Sequence, residues 1–398
     1  MVVRKLVLVL VAWAVLALPA RAVEVTLEVE AGDSDRVETP VCAPIMLPAA
    51  PGPDVVVEVE GPGGKVPGQL VPGAGKGSTM LCWLVSLKKG EKATYKAKIE
   101  KGEPPDKGFA FEDTKGDHLD LLFGGRKVTR FMYVFNPDPK LRFPTAKPFT
   151  HVFDAKGETI ITSPGGDPYP HHRGIYIGWN KTKLPDGKSY DFWHVRAVWQ
   201  RVEKPIATLA GPVLGRMTAE VNWECPDGKP AIVEDRTITV YRQSKPELLL
   251  DFVSTLHSKA GGDIELGGDP EHAGCQFRAS PEVAKNQGET KYVFPPDGKE
   301  GTKGTLDMPW TSMSCKVGEA RFNVAHLNHP DNPKGTVYSA NRKYGRFGAF
   351  PKAVVKADQP LTFRYRFYVR EAPELLTVED VQRLSDDFTR PPKVTVKQ

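Results

Sequence analysis

The sequence contains no CxxC, HxH or HExxH motif, and after its first residues it has no apolar run long enough to span a bilayer. The missing motifs argue against zinc sites whose ligands are close neighbours in one segment. The missing apolar run predicts that no membrane span remains in the mature protein. Lysine and arginine do not cluster with aromatic residues, so nothing in the sequence indicates nucleic-acid binding.

The strongest apolar run opens the chain. Arg4 and Lys5 precede an apolar stretch over residues 6–18, and residues 20–22 offer the small-x-small pattern that a signal peptidase recognises. The stretch is shorter than a transmembrane helix requires. We therefore predict a secretory signal peptide over residues 1–22 and an exported protein, periplasmic or extracellular. An uncleaved anchor is the alternative.

Cysteine is scarce and its number is odd. The chain has five cysteines, which leaves at least one thiol unpaired in an exported protein. Cys42 and Cys82 lie in the same N-terminal region and are candidates for a disulfide. Cys275 and His272 suggest a nucleophile and its base. Two residues three positions apart on a strand face opposite sides, however, which favours a small buried thiol at Cys275.

Apolar and polar residues alternate through most of the chain. Residues 23–30 (VEVTLEVE) and 362–370 (TFRYRFYVR) each place their apolar side chains on one face, as in a half-buried strand. The 36 prolines and 37 glycines divide such runs by turns. Residues 377–388 (TVEDVQRLSDDF) have helical spacing instead, with Thr377 and Asp380 as an N-terminal cap.

These patterns predict a mostly β protein in two parts. The polar, proline-bearing residues 101–108 (KGEPPDKG) are typical of a linker. We predict a small β-sandwich over residues 23–105, followed by a large antiparallel β-supersandwich over residues 106–398 that carries the functional site. One short C-terminal helix is expected to pack against its sheets.

Histidine is the most informative residue type. Six of the nine histidines fall in four short segments that also carry carboxylate, arginine or asparagine side chains. The segments are PHHRG (170–174), DFWH (191–194), EHAGCQFR (271–278) and HLNHPDN (326–332). Imidazole serves as acid or base near neutral pH, and guanidinium binds pairs of oxygens, so the segments predict one polar site. A purely structural network of turns is the alternative.

The residues of this predicted site divide by chemistry. Those able to exchange a proton, or to orient a group that does, are predicted to be catalytic: His172, His194, Asp191 and Glu271. Those able to hold substrate oxygens or to stack on a sugar ring are predicted to bind substrate: His171, Arg173, Trp179, Arg278, His329 and Asn332. Because neighbouring residues of an extended backbone face opposite sides, at most one of the adjacent histidines is expected to face a given pocket.

No metal ligand and no cofactor are predicted, because ligands drawn from separate loops cannot be verified by spacing. A three-histidine site with an open position stays open as an alternative.

Several motifs together resemble a known family. They are DRVETPVCAPIMLP (35–48), PHHRGIYIGWN (170–180), DFWH, EHAGCQFR and the stretch from Val324 to Phe350. In this order they resemble the soluble "PmoA-like" family of unknown function, exported bacterial β-rich proteins. The resemblance implies a β-rich fold and a shared polar site at His171, His172, Arg173, Asp191, His194, Arg278, His329 and Asn332. It does not imply methane oxidation, because the oxygenase subunit of that name is a polytopic membrane protein.

The chain departs from this resemblance at His272 and Cys275, where similar sequences more often carry glycine or apolar residues, so neither is predicted to be catalytic.

By analogy with aldose mutarotases and polysaccharide lyases, whose β-supersandwich holds histidine, arginine and carboxylate groups on one sheet, we predict an exported carbohydrate-active protein. Its partner would be a carbohydrate or another small polar substrate. The leading hypothesis is an enzyme, a hydrolase, lyase or epimerase, that uses histidine and carboxylate acid–base chemistry. The alternatives are a glycan-binding module without catalysis, a metal-dependent hydrolase that uses the histidine cluster, and a structural protein.

Overall fold

A computed structural model of the chain describes residues 22–48, 54–73, 75, 77–103, 108–166, 169–298 and 305–397. Strands make up 53% of the structure and helices 7%, which confirms the predicted mostly β fold of antiparallel sheets. The predicted signal peptide lies outside the described residues except for Ala22, and so does the centre of the predicted linker, residues 104–107.

The first sheet is built mainly from the N-terminal part of the chain. Its first six strands are β1 (Val23–Glu30), β2 (Arg36–Ile45), β3 (Val55–Gly61), β4 (Gly64–Pro72), β5 (Thr79–Leu87) and β6 (Lys92–Lys101). The strand order is β2-β5-β4-β3-β6-β1, and the last strand of the whole chain, residues 393–397, pairs with β1 as the seventh. The apolar faces of these strands enclose a core of their own, including Leu27, Val59 and Trp83.

The rest of the chain forms three further sheets. The strands up to the middle of the chain are β7 (Phe109–Thr114), β8 (His118–Phe123), β9 (Arg126–Met132), β10 (Phe149–Val152), β11 (Ile175–Trp179), β12 (Lys181–Lys183), β13 (Ser189–Tyr190), β14 (Trp199–Val202), β15 (Ala207–Leu209), β16 (Leu214–Glu224) and β17 (Pro230–Tyr241). The remaining strands are β18 (Leu248–Ser258), β19 (Ile264–Gly267), β20 (Ala273–Arg278), β21 (Lys291–Val293), β22 (Trp310–Val317), β23 (Ala320–Asn328), β24 (Val337–Asn341), β25 (Arg346–Phe350), β26 (Ala353–Val355), β27 (Leu361–Glu371) and β28 (Lys393–Lys397).

Two large sheets face each other across the main core. The eight-stranded sheet has the order β24-β25-β20-β11-β10-β9-β8-β7, and the nine-stranded sheet has the order β14-β16-β17-β18-β27-β23-β22-β21, with β15 beside β16. Apolar residues of both sheets, such as Ile177, Phe277, Phe252 and Phe363, are fully buried in one cluster. A smaller sheet, β13-β12-β19-β26, flanks them. Burial of apolar area between the large sheets is the main stabilising contribution in this part of the protein.

Helices are few in the described part of the chain. They are α1 (Glu282–Lys285), α2 (Val378–Thr389) and three short 3-10 turns at Phe143–Thr145, Gln287–Glu289 and Arg342–Tyr344. In α2 the Thr377 side chain accepts from the Asp380 amide while the Asp380 carboxylate accepts from the Thr377 amide, so the predicted helix and its cap are confirmed. Its apolar side packs on the nine-stranded sheet through Val381 and Leu384.

Segments near the two ends of the chain connect the first sheet to the large sheets. Arg36 of β2 donates to the Asp387 carboxylate of α2 over 2.9 Å, and both side chains are almost fully buried. After α2 the chain crosses to β1 and ends as β28, a pairing that the sequence analysis did not predict. The predicted disulfide between Cys42 and Cys82 is present, whereas Cys225, Cys275 and Cys315 are buried free thiols.

Two buried histidines predict how stability depends on pH. Burial lowers the pKa of His151 to about 4, with a smaller effect of Arg130, and lowers the pKa of His326 to about 3. In the unfolded chain imidazole titrates near pH 6.5. The unfolded state therefore binds more protons below that pH, so the stability is fully present above about pH 6.5 and is lost as the pH falls towards the folded values.

We expect each of these histidines to lower the free energy of unfolding by up to about 2 kcal/mol between pH 6.5 and 5, as urea denaturation would measure. His326→Leu should make this decline shallower, and His257→Asn, at a half-exposed position, should leave it unchanged. Equal slopes for the wild type and His326→Leu would contradict the assignment.

Candidate functional site

Three loops meet over the outer face of the eight-stranded sheet. In β11 and β20 the side chains of Ile175, Ile177 and Phe277 point into the main core, so alternation directs Tyr176 and Arg278 to the opposite face. Arg346 of β25 pairs with Arg278 and lies on the same face. The loop before β11, the loop after β13 and the turn before β20 cover this polar face and carry the predicted histidines.

A glycine lets one of these loops lie directly on the sheet. A Cβ atom at Gly178 of β11 would stand 2.7 Å from the backbone carbonyl oxygen of Phe192. That approach is closer than side-chain atoms tolerate, so the Asp191–His194 loop can reach its position only over a residue without a side chain. The Phe192 amide in turn donates to the Trp179 carbonyl, which fixes the loop against the strand.

The first loop presents both of its histidines. Its backbone turns at this point, with the His172 amide donating to the Tyr169 carbonyl over 2.9 Å. The rings of His171 and His172 consequently lie edge to face, with centroids 4.5 Å apart. The backbone is therefore turned here and not extended as the prediction assumed, but the two rings still serve different places: His172 lines a pocket and His171 contacts His194 and His272.

The second loop holds His194 through Asp191. Oδ1 of Asp191 accepts from the amides of Trp193 and His194, and Oδ2 lies 2.7 Å from Nδ1 of His194. Burial raises the pKa of the Asp191 carboxyl, but the hydrogen bonds from His194 outweigh it and lower the pKa overall. An ionised Asp191 therefore accepts the Nδ1 proton and leaves Nε2 of His194 with its lone pair.

The third loop repeats this arrangement. Oδ1 of Asp269 accepts from the Glu271 amide and lies 2.9 Å from Nδ1 of His272, while the Asn180 side-chain amide donates to Oδ2 over 2.6 Å. These hydrogen bonds outweigh burial and lower the pKa of Asp269. His272 was not among the residues predicted for the site. The signal that could have found it is a spacing shared by DFWH and DPEH, an aspartate three residues before a histidine.

The imidazoles of the three loops converge. The ring centroids of His194 lie 4.6 Å from those of His171 and 4.9 Å from those of His272. One nitrogen of each ring lies within 4.8 Å of the other two. Burial, together with the neighbouring His194 and Arg278, lowers the pKa of His171 to about 3, so this ring is neutral at physiological pH.

Buried cations support the loops from below. Arg173 donates to the carbonyls of Pro170 and Phe143, and Lys147 donates to the carbonyl of Trp193. Arg278 lies 3.2 Å from Nε2 of His172. These cations are almost fully buried, and burial lowers the pKa of Lys147 well below its usual value. The predicted arginines therefore lie behind the histidines, where they hold the loops and contribute positive potential.

His172 faces a pocket beside the three converging histidines. Its ring stacks on Tyr169, with centroids 4.7 Å apart, and Tyr344 stands against both rings. These three residues line a cavity of about 190 Å³ together with Lys343 and Gln287. Burial and the nearby Arg278 lower the pKa of His172 strongly, so this ring is neutral and accepts a proton poorly.

Glu271 and Trp179 are two further residues that were predicted to belong to the site. Glu271 is half exposed, and its carboxylate lies 3.5 Å from Arg346. Trp179 is fully buried against Trp223 in the main core, so its face is closed to a sugar ring and the predicted stacking role is wrong.

His329 and Asn332 belong to a turn beside α2. His329 packs against Phe388, and the Asn332 amide bonds to Asn328 and to the Arg364 backbone. Within the described part of the chain neither contacts the converging histidines, so their prediction as substrate-binding residues is not supported. The alternative, a structural turn built on asparagine and proline without a ligand, accounts for the contacts of both residues.

Comparisons with known proteins add a family and a weak structural likeness. A family model described as a family of unknown function (DUF6807) matches residues 118–385, which include all of the residues of the site. None of the curated proteins matches the sequence. A GalM/aldose epimerase homologue from C. elegans is 10% identical, with a TM-score of 0.29 over 67% of this chain and 99% of that protein. A likeness this low supports no inference about activity.

Within the described residues, no helix is long and apolar enough to cross a membrane.

Proposed function

Because the chain belongs to the DUF6807 family, whose function is unknown, we propose a function from the site itself. The protein is an enzyme that performs acid–base chemistry on a small polar substrate, and a sugar is the substrate class that fits the site best. The observation that carries this proposal is the pairing of Asp191 with His194 at the meeting point of three loops.

The Asp191–His194 pair has the arrangement of a general base. The carboxylate fixes the tautomer and the orientation of the ring, as an orienting aspartate does in catalytic dyads and triads. Nε2 of His194 can then take a proton from a water molecule or a substrate hydroxyl. The His194 side chain is 20% exposed, so part of the ring is in contact with solvent.

The adjoining pocket supports a sugar as substrate. Tyr169 and Tyr344 offer aromatic surfaces, and Ser163, Gln287 and Lys343 offer hydrogen-bonding groups around about 190 Å³. Drug-sized ligands occupy pockets of roughly 300–1,000 Å³, so this cavity suits a molecule near the size of one monosaccharide. Aromatic faces beside polar groups are the surroundings that a sugar ring requires.

The buried cations favour a reaction in which the substrate gains negative charge. Arg173 and Arg278 lie close behind the histidines and are each 1% exposed. Fixed positive charges in a water-excluded surrounding stabilise an alkoxide or enolate more than they stabilise the neutral substrate. Ring opening, epimerisation and β-elimination all pass through such a species. Methane oxidation is not part of the proposal, and export of the protein remains a prediction from residues 1–22.

The test is a screen of neutral and acidic mono- and oligosaccharides for product formation by NMR, with the full-length wild-type protein. We expect turnover of one sugar class, and a loss of about 100-fold for His194→Gln, the lower range for a positioned acid–base group. His257→Gln, in a histidine paired with Asp235 on the large nine-stranded sheet, is the control and should keep full turnover.

Two results would overturn the proposal. Sugar binding without product would assign a glycan-binding module instead. Turnover that survives His194→Gln would remove the Asp191–His194 pair from the chemistry.

A further inference from the structure

We propose that His171, His194 and His272 bind one divalent transition-metal ion of the Zn²⁺ type. Among the described residues they are the one group of three metal-ligating side chains whose ligand atoms lie within 4.8 Å of one another. The inference deepens the proposed function of the same site and rests on it for its catalytic meaning only, because ion binding is measured without any substrate.

Two of the three imidazoles already have the orientation that metal ligands need. The Nδ1 atoms of His194 and His272 donate to Asp191 and Asp269 over 2.7 and 2.9 Å. When a neutral ring donates its N–H to a carboxylate, the other nitrogen carries a lone pair. Such carboxylate–histidine pairs are typical of zinc sites. The Asn180 amide fixes Asp269 in turn, so the His272 ring is held through two successive contacts.

The third imidazole lacks a competing partner. Within the described residues the ring of His171 contacts the rings of Tyr169, His172, His194 and His272 and makes no side-chain hydrogen bond. Both of its nitrogens are therefore available. One nitrogen of each ring lies within 4.8 Å of a nitrogen of the other two, so a single ion can be reached by all three side chains.

The distances allow an ion after a small adjustment. Imidazole nitrogens bind Zn²⁺ at about 2.0–2.1 Å, which places pairs of ligand atoms roughly 3.3 Å apart in a tetrahedron. The rings must therefore close by up to about 1.5 Å. The side chains of His194 and His272 are 20% and 35% exposed, so the adjustment is one of partly exposed side chains and not of the buried core.

The ligand type selects the class of ion. Three imidazoles suit Zn²⁺ and its neighbours in the first transition row, whereas Ca²⁺ and Mg²⁺ prefer oxygen ligands. The three free thiols that would compete for zinc, Cys225, Cys275 and Cys315, are buried. Three protein ligands leave a fourth position for water, as in catalytic zinc sites.

An ion at this position changes the role of His194. Its Nε2 would hold the ion while Asp191 keeps its orienting role, and the ion would supply a water of lowered pKa as the base or nucleophile. His172 lines the pocket, and its ring contacts the ring of His171. A substrate in the pocket would therefore lie close to a water bound by the ion.

The test is Zn²⁺ binding to the full-length protein after treatment with a chelator, followed by calorimetry and elemental analysis. We expect one Zn²⁺ per chain. His171→Ala and His272→Ala should each weaken binding by more than about 100-fold, and Asp269→Asn, which only orients a ligand, by about 10–100-fold. His257→Ala is the control at a histidine outside the cluster, and circular dichroism checks that each variant is folded.

The outcomes separate this inference from the proposed function. No stoichiometric Zn²⁺, or Zn²⁺ binding unchanged in a folded His272→Ala protein, would overturn the inference even if sugar turnover were found. One Zn²⁺ that depends on all three histidines supports it even if no sugar in the screen is converted. Co²⁺ in place of Zn²⁺ gives a second readout, because tetrahedral coordination produces visible absorption that His171→Ala should remove.

Discussion

Replacing Gly274 with alanine is expected to destabilise the protein by more than about 4 kcal/mol, the range of exceptionally damaging substitutions. Gly274 of β20 has a φ of +80°, and a Cβ atom there would stand 1.9 Å from the carbonyl oxygen of Ala349 on β25. The left-handed conformation alone costs alanine about 1–2 kcal/mol. The clash adds a further cost. The obstructing atom is a backbone atom, so β20 and β25 would have to move apart to make room.

The control for this prediction is Gly228→Ala. Gly228 also has a positive φ, +78°, but no atom lies within 4 Å of the Cβ position. Gly228→Ala should lower the free energy of unfolding by only about 1–2 kcal/mol, which is the cost of the backbone conformation. Urea denaturation of both variants measures the difference, and soluble yield reports a Gly274→Ala chain that fails to fold. Similar losses for the two variants would mean that β20 and β25 can separate without cost.

The same strand connects stability to the site. Gly274 follows His272 by two residues, and its conformation sets the path on which the chain leaves the Asp269–His272 turn and enters β20. Gly178 on the adjacent strand makes room for the Asp191–His194 loop. Two glycines on paired strands, Gly178 opposite Gly274, thus allow two histidine loops to lie on one face of the sheet.

The fold was predictable where local patterns determine structure. Alternation identified strands such as β1 and β27, because side chains of a half-buried strand must alternate between core and solvent. The capping residues Thr377 and Asp380 located α2 to within one residue. The pairing of β28 with β1 was not predictable in the same way, because it joins residues more than 360 positions apart and depends on the whole fold.

The residue types that make up the site were predictable from the sequence, but their arrangement in space was not. The histidine segments identified three of the loops that meet, because polar side chains of several types in one short segment need partners. Trp179 was misassigned because a tryptophan in a histidine-bearing segment can still face the core. His272 was left out because similar sequences more often carry glycine or apolar residues there, whereas the structure places it in the turn before β20, where Asp269 orients it.

The two Asp-x-x-His turns orient their imidazoles in the same way. In each turn the carboxylate accepts from at least one backbone amide and contacts Nδ1 of the histidine. Each aspartate thereby fixes the orientation of one ring, and the other ring nitrogen points away from that contact. A base and a metal ligand need this same state of the imidazole, which is why one geometry supports both the proposed chemistry and the proposed ion.

Glu234→Gln is expected to lower the free energy of unfolding by about 3–5 kcal/mol, the cost of breaking a buried ion pair on one side. Glu234 and Arg236 of β17 are fully buried, and their side chains form two hydrogen bonds of 2.8 Å. Glu234 also accepts from the indole of Trp223, and Arg236 donates to the Pro148 carbonyl. Glutamine would leave the guanidinium charge in the interior without compensation.

The design that isolates this charge uses two further variants and urea denaturation. Glu220→Gln makes the same change in a pair with the exposed Lys204 and should cost less than about 1 kcal/mol. Replacing both Glu234 and Arg236 with methionine removes both charges and should cost less than Glu234→Gln alone, because no unpaired charge remains. If the double variant is the less stable one, the pair itself stabilises the core, and its contacts with Trp223 and Pro148 outweigh the cost of burying two charges.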